Sequence, residues 1–130
     1  MNKKLLFLGI FLSLFAISFL SLVTVFVSET ENNTTLFSNF QLALQVNFFH
    51  AIVLFVLASL KRKYTDKGLL SAGYLLLAGT VVFSLPAYVG LLINNEVLFT
   101  LLNIFGLIGI FTGWIVITKT FYEIYYPKRY

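Results

Sequence analysis

The stretch FQLALQVNFFHAIVLFVLASL, residues 40–60, decides the fold class of this 130-residue chain. It contains no Asp, Glu, Lys or Arg, and the basic connection KRKYTDKG, residues 61–68, follows it directly. Roughly 20 apolar residues in a helix cross a hydrocarbon core about 30 Å thick. A long uncharged segment that ends in cations therefore predicts a transmembrane helix.

Three further stretches are long and apolar enough by the same length requirement, namely residues 5–27, 69–93 and 97–121. None of the four contains Asp or Glu, and Lys119 lies in the last turn of the fourth, where it can reach the membrane surface. The composition agrees, since 59% of the residues are hydrophobic and only 11% are charged, whereas a soluble domain carries about 25% charged residues. Short connections between long helices favour neighbours that run in opposite directions. We therefore predict one all-α membrane domain over residues 1–130, an up-down antiparallel bundle of four transmembrane helices.

The distribution of charge predicts how this bundle is oriented. All nine Lys and Arg residues lie before the first span, in the second connection, or from Lys119 to the end of the chain. The first and third connections, residues 28–39 and 94–96, carry Glu but no Lys or Arg. By the positive-inside rule, both termini face the cytoplasm. Because the cations flank apolar segments, they indicate a lipid bilayer rather than a nucleic acid as the partner.

Small and polar side chains indicate where the helices pack, because helices in lipid associate through close contact and polar bonds. In the second span such residues recur at spacings of four, three, four and four, which is one face of a helix: Ala43, Asn47, His50, Leu54 and Ala58. This spacing turns His50, the single histidine of the chain, toward the interior of the bundle.

The third and fourth spans carry glycine on their predicted packing faces. In the fourth span, Gly109 and Gly113 form a GxxxG pair, which lets another backbone approach closely. The third span has two adjoining stripes of small and polar residues, so we expect it to contact two neighbours. The predicted packing residues of the three spans are Gly106, Gly109, Gly113, Gly79, Ala43 and Ala58.

A candidate polar site follows from the depth of the polar side chains. With a rise of about 1.5 Å per residue, His50 lies near the bilayer midplane, and most other polar groups lie between it and the outer surface. We predict that neighbouring helices bring these groups together: His50, Asn47, Ser84, Tyr88 and Asn103.

His50 has three interpretations, which the residues leave open. It is a neutral histidine that bonds polar side chains across helices, or a proton or substrate site, which is typical of an ionisable group in a membrane, or a haem or metal ligand. The chain has no cysteine and no second histidine, so it lacks the further ligands that a metal or a haem takes. We therefore predict no cofactor and no metal site.

The sequence contains no set of residues typical of an enzyme. It has no paired carboxylates, no phosphate-binding loop, and no serine with a histidine and an acid nearby. We predict no catalytic residues.

Three stretches resemble a known family: QVNFFHAIVLF (45–55), SAGYLLLAGTVVFSLPAYVGLL (71–92) and GLIGIFTGW (106–114). They are similar to the domain of unknown function 423 (DUF423) family of small bacterial inner-membrane proteins with about four spans. Phe49 stands where that family has Tyr, and SLVT (21–24) occupies the region of its first-span Ala-His-Gly motif. The resemblance covers roughly residues 40–121 and implies a bacterial multipass inner-membrane protein without an established activity. The matching residues are His50-Ala51, Phe83-Ser84, Tyr88 and Gly113-Trp114.

Two functions fit these features. The first is a structural or accessory subunit that packs in a homo-oligomer or a larger inner-membrane complex. The alternative is a small transporter, channel or ligand-binding protein whose polar site surrounds His50 in the outer half of the bilayer.

Overall fold

The computed structural model describes residues 2–27, 34–60, 67–90 and 95–126, and these residues form four α-helices. Helix α1 is Lys3–Val27, α2 is Thr34–Ser59, α3 is Lys67–Val89 and α4 is Glu96–Tyr125. All four are long and apolar enough to cross a membrane, judged by length and composition. The prediction of an all-helical chain with four helices long and apolar enough to span a membrane is confirmed for the described residues.

The helices differ from the predicted spans at their ends. Helix α2 begins at Thr34 rather than at residue 40, and α4 continues to Tyr125 rather than ending at residue 121. Hydropathy locates the part of a helix that lies in hydrocarbon. The helix itself can extend beyond that part, and it ends where side chains or water bond its terminal N–H and C=O groups. At the start of α4, the side chain of Asn95 accepts a hydrogen bond from the backbone nitrogen of Leu98 at 3.0 Å.

Several predicted features lie partly outside the described residues, among them the first and third connections and the basic end of the chain. The third span was expected to end at residue 93, but α3 ends at Val89, and residues 91–94 are not described. The basic connection is described only from Lys67 onward.

Helices α1, α2 and α3 contact one another pairwise and supply most of the main core, to which α4 adds Ile117. The backbone nitrogen of Asn2 donates a hydrogen bond to the carbonyl oxygen of Ala58 at 2.9 Å, which joins the start of α1 to the end of α2. Gly73 of α3 lies against leucines of both other helices, Leu5 and Leu54. The largest apolar side chains that this core buries completely are Leu5, Leu12, Leu54, Leu69 and Leu76.

Helices α3 and α4 pack backbone against backbone through glycine. A Cβ atom added to Gly79 would lie 2.6 Å from the backbone nitrogen of Ile110 and 2.9 Å from the carbonyl oxygen of Gly106. A Cβ atom added to Gly106 would lie 2.6 Å from the Cα atom of Phe83. Side-chain carbon atoms do not approach a backbone so closely, so this interface depends on the absence of side chains at these positions.

Helix α4 lies at the edge of the protein. Over the described residues, its backbone closely approaches that of α3 but not those of α1 or α2. The Trp114 ring of α4 reaches α2, since its centre lies 6.2 Å from that of Phe49 and 6.4 Å from that of His50. Only 22% of the most apolar part of α4 is buried, against 39% in α2 and in α3. Helix α4 therefore joins the main core through its packing on α3 and through buried Ile117, while most of its remaining surface stays exposed.

Candidate functional site

Asn47 lies at the centre of a polar cluster between α2 and α3. Its side-chain nitrogen donates a hydrogen bond to the Tyr88 hydroxyl, and its side-chain oxygen accepts one from the Ser84 hydroxyl at 3.3 Å. The exposed fractions of Asn47, Ser84 and Tyr88 are 0%, 0% and 4%. Because buried polar groups need partners, the two ends of the Asn47 amide together connect α2 to α3.

Three phenylalanines enclose the ring of Tyr88. Phe19 stacks on it with ring centres 4.1 Å apart, while Phe40 and Phe15 meet it edge-on at 5.4 and 5.7 Å. Sequence reasoning missed this aromatic group. The signal was present, because Phe15 and Phe19 are four residues apart and so share one face of α1. Tyr88 thus meets α1 through its ring and α2 through both its ring and its hydroxyl.

His50 lies one helical turn beyond Asn47 and is 5% exposed. Its Nδ1 atom is 2.8 Å from the carbonyl oxygen of Val46. A carbonyl oxygen only accepts hydrogen bonds, so Nδ1 is the donor, and a neutral ring then leaves Nε2 as an acceptor. Nε2 is buried and has no hydrogen-bond partner in the described part of the chain. The imidazole lies beside the aromatic rings of Phe49 and Trp114.

Thr80 carries the other buried side-chain polar atom that lacks a partner among the described residues. It precedes Ser84 by one turn of α3, just as His50 follows Asn47 by one turn of α2. Ser84 of α3 bonds Asn47 of α2, so these two residues lie at the same depth. Thr80 is one turn before Ser84 and His50 is one turn after Asn47, so in antiparallel helices Thr80 and His50 also lie at similar depths. The Leu54–Gly73 contact continues this register.

The hydroxyl of Thr80 behaves differently from the hydroxyls of other threonines in the spans. Thr112, Thr118 and Thr120 each donate to the carbonyl oxygen four residues earlier. Thr80 makes no such bond, although its exposed fraction is 0%. A hydroxyl that could donate and an imidazole nitrogen that could accept are therefore buried at a similar level on α3 and α2.

Asn103, the fifth residue of the predicted polar site, is not part of this cluster. It lies on α4 and lines a separate groove, together with Asn39 of α2 and Pro86 of α3. The predicted site therefore divides in the structure. Asn47, Ser84 and Tyr88 form one bonded cluster, His50 lies a turn away from it, and Asn103 lies in the groove.

The hydrogen bonds of the cluster indicate what it can do. Ser84 donates to Asn47 rather than to His50, so these bonds do not assemble a serine nucleophile with a histidine base. No group of three or more metal-ligating side chains occurs in the described ranges. His50 Nε2 and the Thr80 hydroxyl offer one acceptor and one donor, each buried and without a partner among the described residues.

The predicted packing residues lie at helix contacts. Gly79, Gly106 and Gly109 lie where the backbones of α3 and α4 meet. A Cβ atom added to Gly113 would lie 2.8 Å from the side chain of Leu76. The two alanines of this set, Ala43 and Ala58, are buried on α2.

These features define a helical membrane protein with a polar cluster between its second and third helices. The family model described as "Protein of unknown function (DUF423)" matches residues 25–113, which is more than half of the chain. The chain belongs to the DUF423 family, which confirms the resemblance seen in the sequence. The matched range contains all of α2 and α3, and with them the whole polar cluster. No curated protein and no solved structure matches the chain.

Proposed function

We propose that the protein is a structural or accessory subunit of a bacterial inner membrane, and that α4 is the surface through which it assembles with further copies of itself. The observation that carries this proposal is the position of α4, whose backbone closely approaches only α3 among the described helices. Large apolar side chains remain uncovered on its other faces, with exposed fractions of 62% at Phe105 and 66% at Phe111 and Ile115.

The small residues do not support assembly by themselves, because the protein uses them internally. The glycines of α4 lie against α3, and Ala43 and Ala58 are buried on α2. An assembly surface must therefore come from larger side chains, which associate in lipid by van der Waals packing. The open faces of α4 offer such side chains in a continuous row.

We also propose the finer topology, an up-down antiparallel arrangement with both termini in the cytoplasm. Contacts between helix ends support it, because Gly68 at the start of α3 lies beside Thr120 near the end of α4, and Gly90 lies beside Phe99. These contacts and the Asn2–Ala58 bond put the described cations at one end of the protein, where the positive-inside rule expects the cytoplasm. These cations are Lys3, Lys4, Lys67 and Lys119.

Cysteine cross-linking in native membranes tests the assembly proposal, because the chain has no cysteine of its own. Phe111→Cys on α4 is compared with Ile52→Cys on α2, since these side chains have exposed fractions of 66% and 61%. The helix contacts put them at similar depths. We expect a disulfide-linked dimer from Phe111→Cys and little from Ile52→Cys.

Two results would contradict assembly through α4. One is equal cross-linking at Phe111 and Ile52, which indicates random collision in the membrane. The other is a strictly monomeric, companion-free protein after extraction in mild detergent at native expression. Co-purification of a different membrane protein instead would favour the accessory role in a larger complex over the homo-oligomer.

A second candidate function is a small transporter, channel or ligand-binding protein with its site at His50. The observation that favours it is that His50 Nε2 and the Thr80 hydroxyl are both buried and both lack a partner among the described residues. Buried polar groups without partners are rare in folded proteins and are often associated with a bound molecule or a functional role. His50 is also an ionisable side chain within a predicted span, and such residues are typical of proton or substrate sites.

Replacement of His50 by Leu tests this second candidate. Cells that produce the wild-type protein, His50→Leu or the control Phe49→Leu are compared by mass spectrometry of the solutes they retain and release. A ligand or transport site predicts a changed solute profile for His50→Leu alone, at equal amounts of folded protein. Indistinguishable profiles for the three proteins would remove the support for this function.

A further inference from the structure

A groove of about 330 Å³ lies where α2, α3 and α4 come together near the start of α4. We name it the α2–α4 groove. Ligand pockets in proteins usually range from about 300 to 1,000 Å³, so it can take a small headgroup. Its lining residues are Asn39, Leu42, Ala43, Phe83, Pro86, Ala87, Gly90, Glu96, Phe99 and Asn103.

The polar side chains of the groove are a carboxylate and two amides, contributed by Glu96, Asn39 and Asn103. None of them bonds to another side chain in the described ranges. The ion pair of Glu123 with Lys119 lies near the other end of α4. The groove therefore combines one negative charge with several free hydrogen-bond acceptors, which suits a cation that has N–H groups.

No Lys or Arg among the described residues lies near the groove. The sequence has no Lys or Arg over residues 5–60 or 68–118, and the described cations cluster at the opposite end of the helices. From Lys67 to Val89, α3 rises by about 33 Å at 1.5 Å per residue. A second copy in the same orientation has its described cations at that same far end, so a different kind of molecule suits the charge of Glu96 better.

The position and walls of the groove identify the kind of molecule. Glu96 is the first residue of α4, so it lies at an end of the spanning segment, where lipid headgroups begin. Leu42, Phe83 and Phe99 provide apolar walls that an acyl chain can follow into the hydrocarbon. The groove thus combines an anionic end, rich in hydrogen-bond acceptors and at headgroup depth, with apolar walls.

We propose that the α2–α4 groove binds an ethanolamine phospholipid, with the ammonium group against Glu96 and the side-chain amides of Asn39 and Asn103, and the acyl chain along Phe83 and Phe99. The amide nitrogens can in addition donate to the phosphate oxygens. A primary ammonium has N–H groups for the acceptors of the groove, whereas choline has none and glycerol headgroups have no positive charge. This binding site goes beyond the assembly role proposed above.

Native mass spectrometry of the purified full chain tests the proposal. The protein is equilibrated with equal amounts of phosphatidylethanolamine, phosphatidylcholine and phosphatidylglycerol, and the lipids retained are counted. We expect preferential retention of phosphatidylethanolamine by the wild type. Glu96→Gln should weaken retention about tenfold, the loss expected when a charge-assisted hydrogen bond becomes a neutral one.

Glu123→Gln is the matched control, because Glu123 is also an exposed glutamate of α4 but lies away from the groove. It should retain phosphatidylethanolamine as the wild type does. Asn103→Ser is a second variant, which keeps a polar side chain but shortens its reach, and it should also weaken retention. Because Glu96→Gln replaces an exposed side chain by one of equal size, circular dichroism should show unchanged helix content.

Several results would overturn the proposal. Equal retention of the three lipids would show that the headgroup is not recognised, and equal effects of Glu96→Gln and Glu123→Gln would show that the groove is not the site. Displacement of the lipid by free ethanolamine at the same concentration would show that the acyl chain is not bound. Self-cross-linking of Phe99→Cys would identify a second copy, rather than a lipid, as the occupant.

Discussion

On its α4 side, α3 meets glycine backbones, whereas on its α2 side it meets hydrogen-bonding side chains. Gly79 and Gly106 leave no room for a methyl group, while Asn47 binds both Ser84 and Tyr88. The α4 interface therefore depends on shape, and the α2 interface depends on matched donors and acceptors. The two interfaces should fail under different substitutions, and the predictions below use this difference.

The largest effect is expected from Gly106→Ala. The added methyl group would meet the backbone of Phe83, which cannot move without shifting α3. Overpacking of this kind costs typically 1–3 kcal/mol, and a clash with backbone puts the loss in the free energy of unfolding at about 3 kcal/mol. Reversible unfolding in a detergent titration measures it.

Gly9→Ala is the control for this prediction. The methyl group there would approach Phe55 at 2.9 Å, but the atom it meets is at the edge of a side-chain ring, which can rotate away. We expect a clearly smaller loss. Equal losses for the two substitutions would mean that the α3–α4 contact is no more sensitive to shape than the rest of the core.

A smaller effect is expected from Asn47→Leu. The substitution removes both bonds of the amide and leaves the Tyr88 and Ser84 hydroxyls buried without their partner. Interhelical polar contacts in membranes average about 0.6 kcal/mol and reach about 1–2, so we expect the free energy of unfolding to fall by about 1–2 kcal/mol. The double variant Asn47→Leu, Tyr88→Phe should lose less free energy of unfolding than the sum of the losses of the two single variants, because both substitutions remove the same hydrogen bond.

Asn103→Leu is the matched control, because Asn103 is also an asparagine within a span but lies outside the cluster. Its loss should stay within about 0.5 kcal/mol, the range usual for substitutions away from bonded or tightly packed positions. A loss as large as that of Asn47→Leu would show that the polar cluster has no special role in holding α2 to α3.

The sequence was sufficient to predict the helices but only part of the candidate site. Uncharged segments of about 20 residues predict spans because hydrocarbon excludes charge, and spacing predicts faces because the helical repeat is fixed. The stripe that contains Asn47 and His50 is buried for this reason. Asn103 also lies on a polar and glycine-bearing stripe, yet it faces the groove.

The reason for this difference is that periodicity describes one helix at a time. Which helices become neighbours, and how far each slides along the other, depend on the sum of contacts over whole surfaces. Two features of the structure depend on such whole-surface contacts: the close approach of the α4 backbone to α3, and the axial register that pairs Ser84 rather than Thr80 with Asn47. The position of Asn103 and the unpartnered hydroxyl of Thr80 both follow from them.

The smallest effect is expected from Thr80→Val. The Thr80 hydroxyl of α3 and the His50 Nε2 atom of α2 are the two buried side-chain polar atoms without partners in the described residues. Valine has nearly the same shape as threonine, and the hydroxyl that it removes makes no bond in the described residues. Burying an unpartnered hydroxyl costs about 1–3 kcal/mol, so we expect thermal unfolding, followed by circular dichroism, to show an unchanged or higher midpoint. Thr120→Val, which loses a bond to the carbonyl oxygen of Val116, should instead lower it. The opposite result is that Thr80→Val lowers the unfolding midpoint more than Thr120→Val does, and that this no longer holds in a His50→Leu background. That result would indicate a bound molecule that needs both His50 and Thr80, and it would favour the second candidate function.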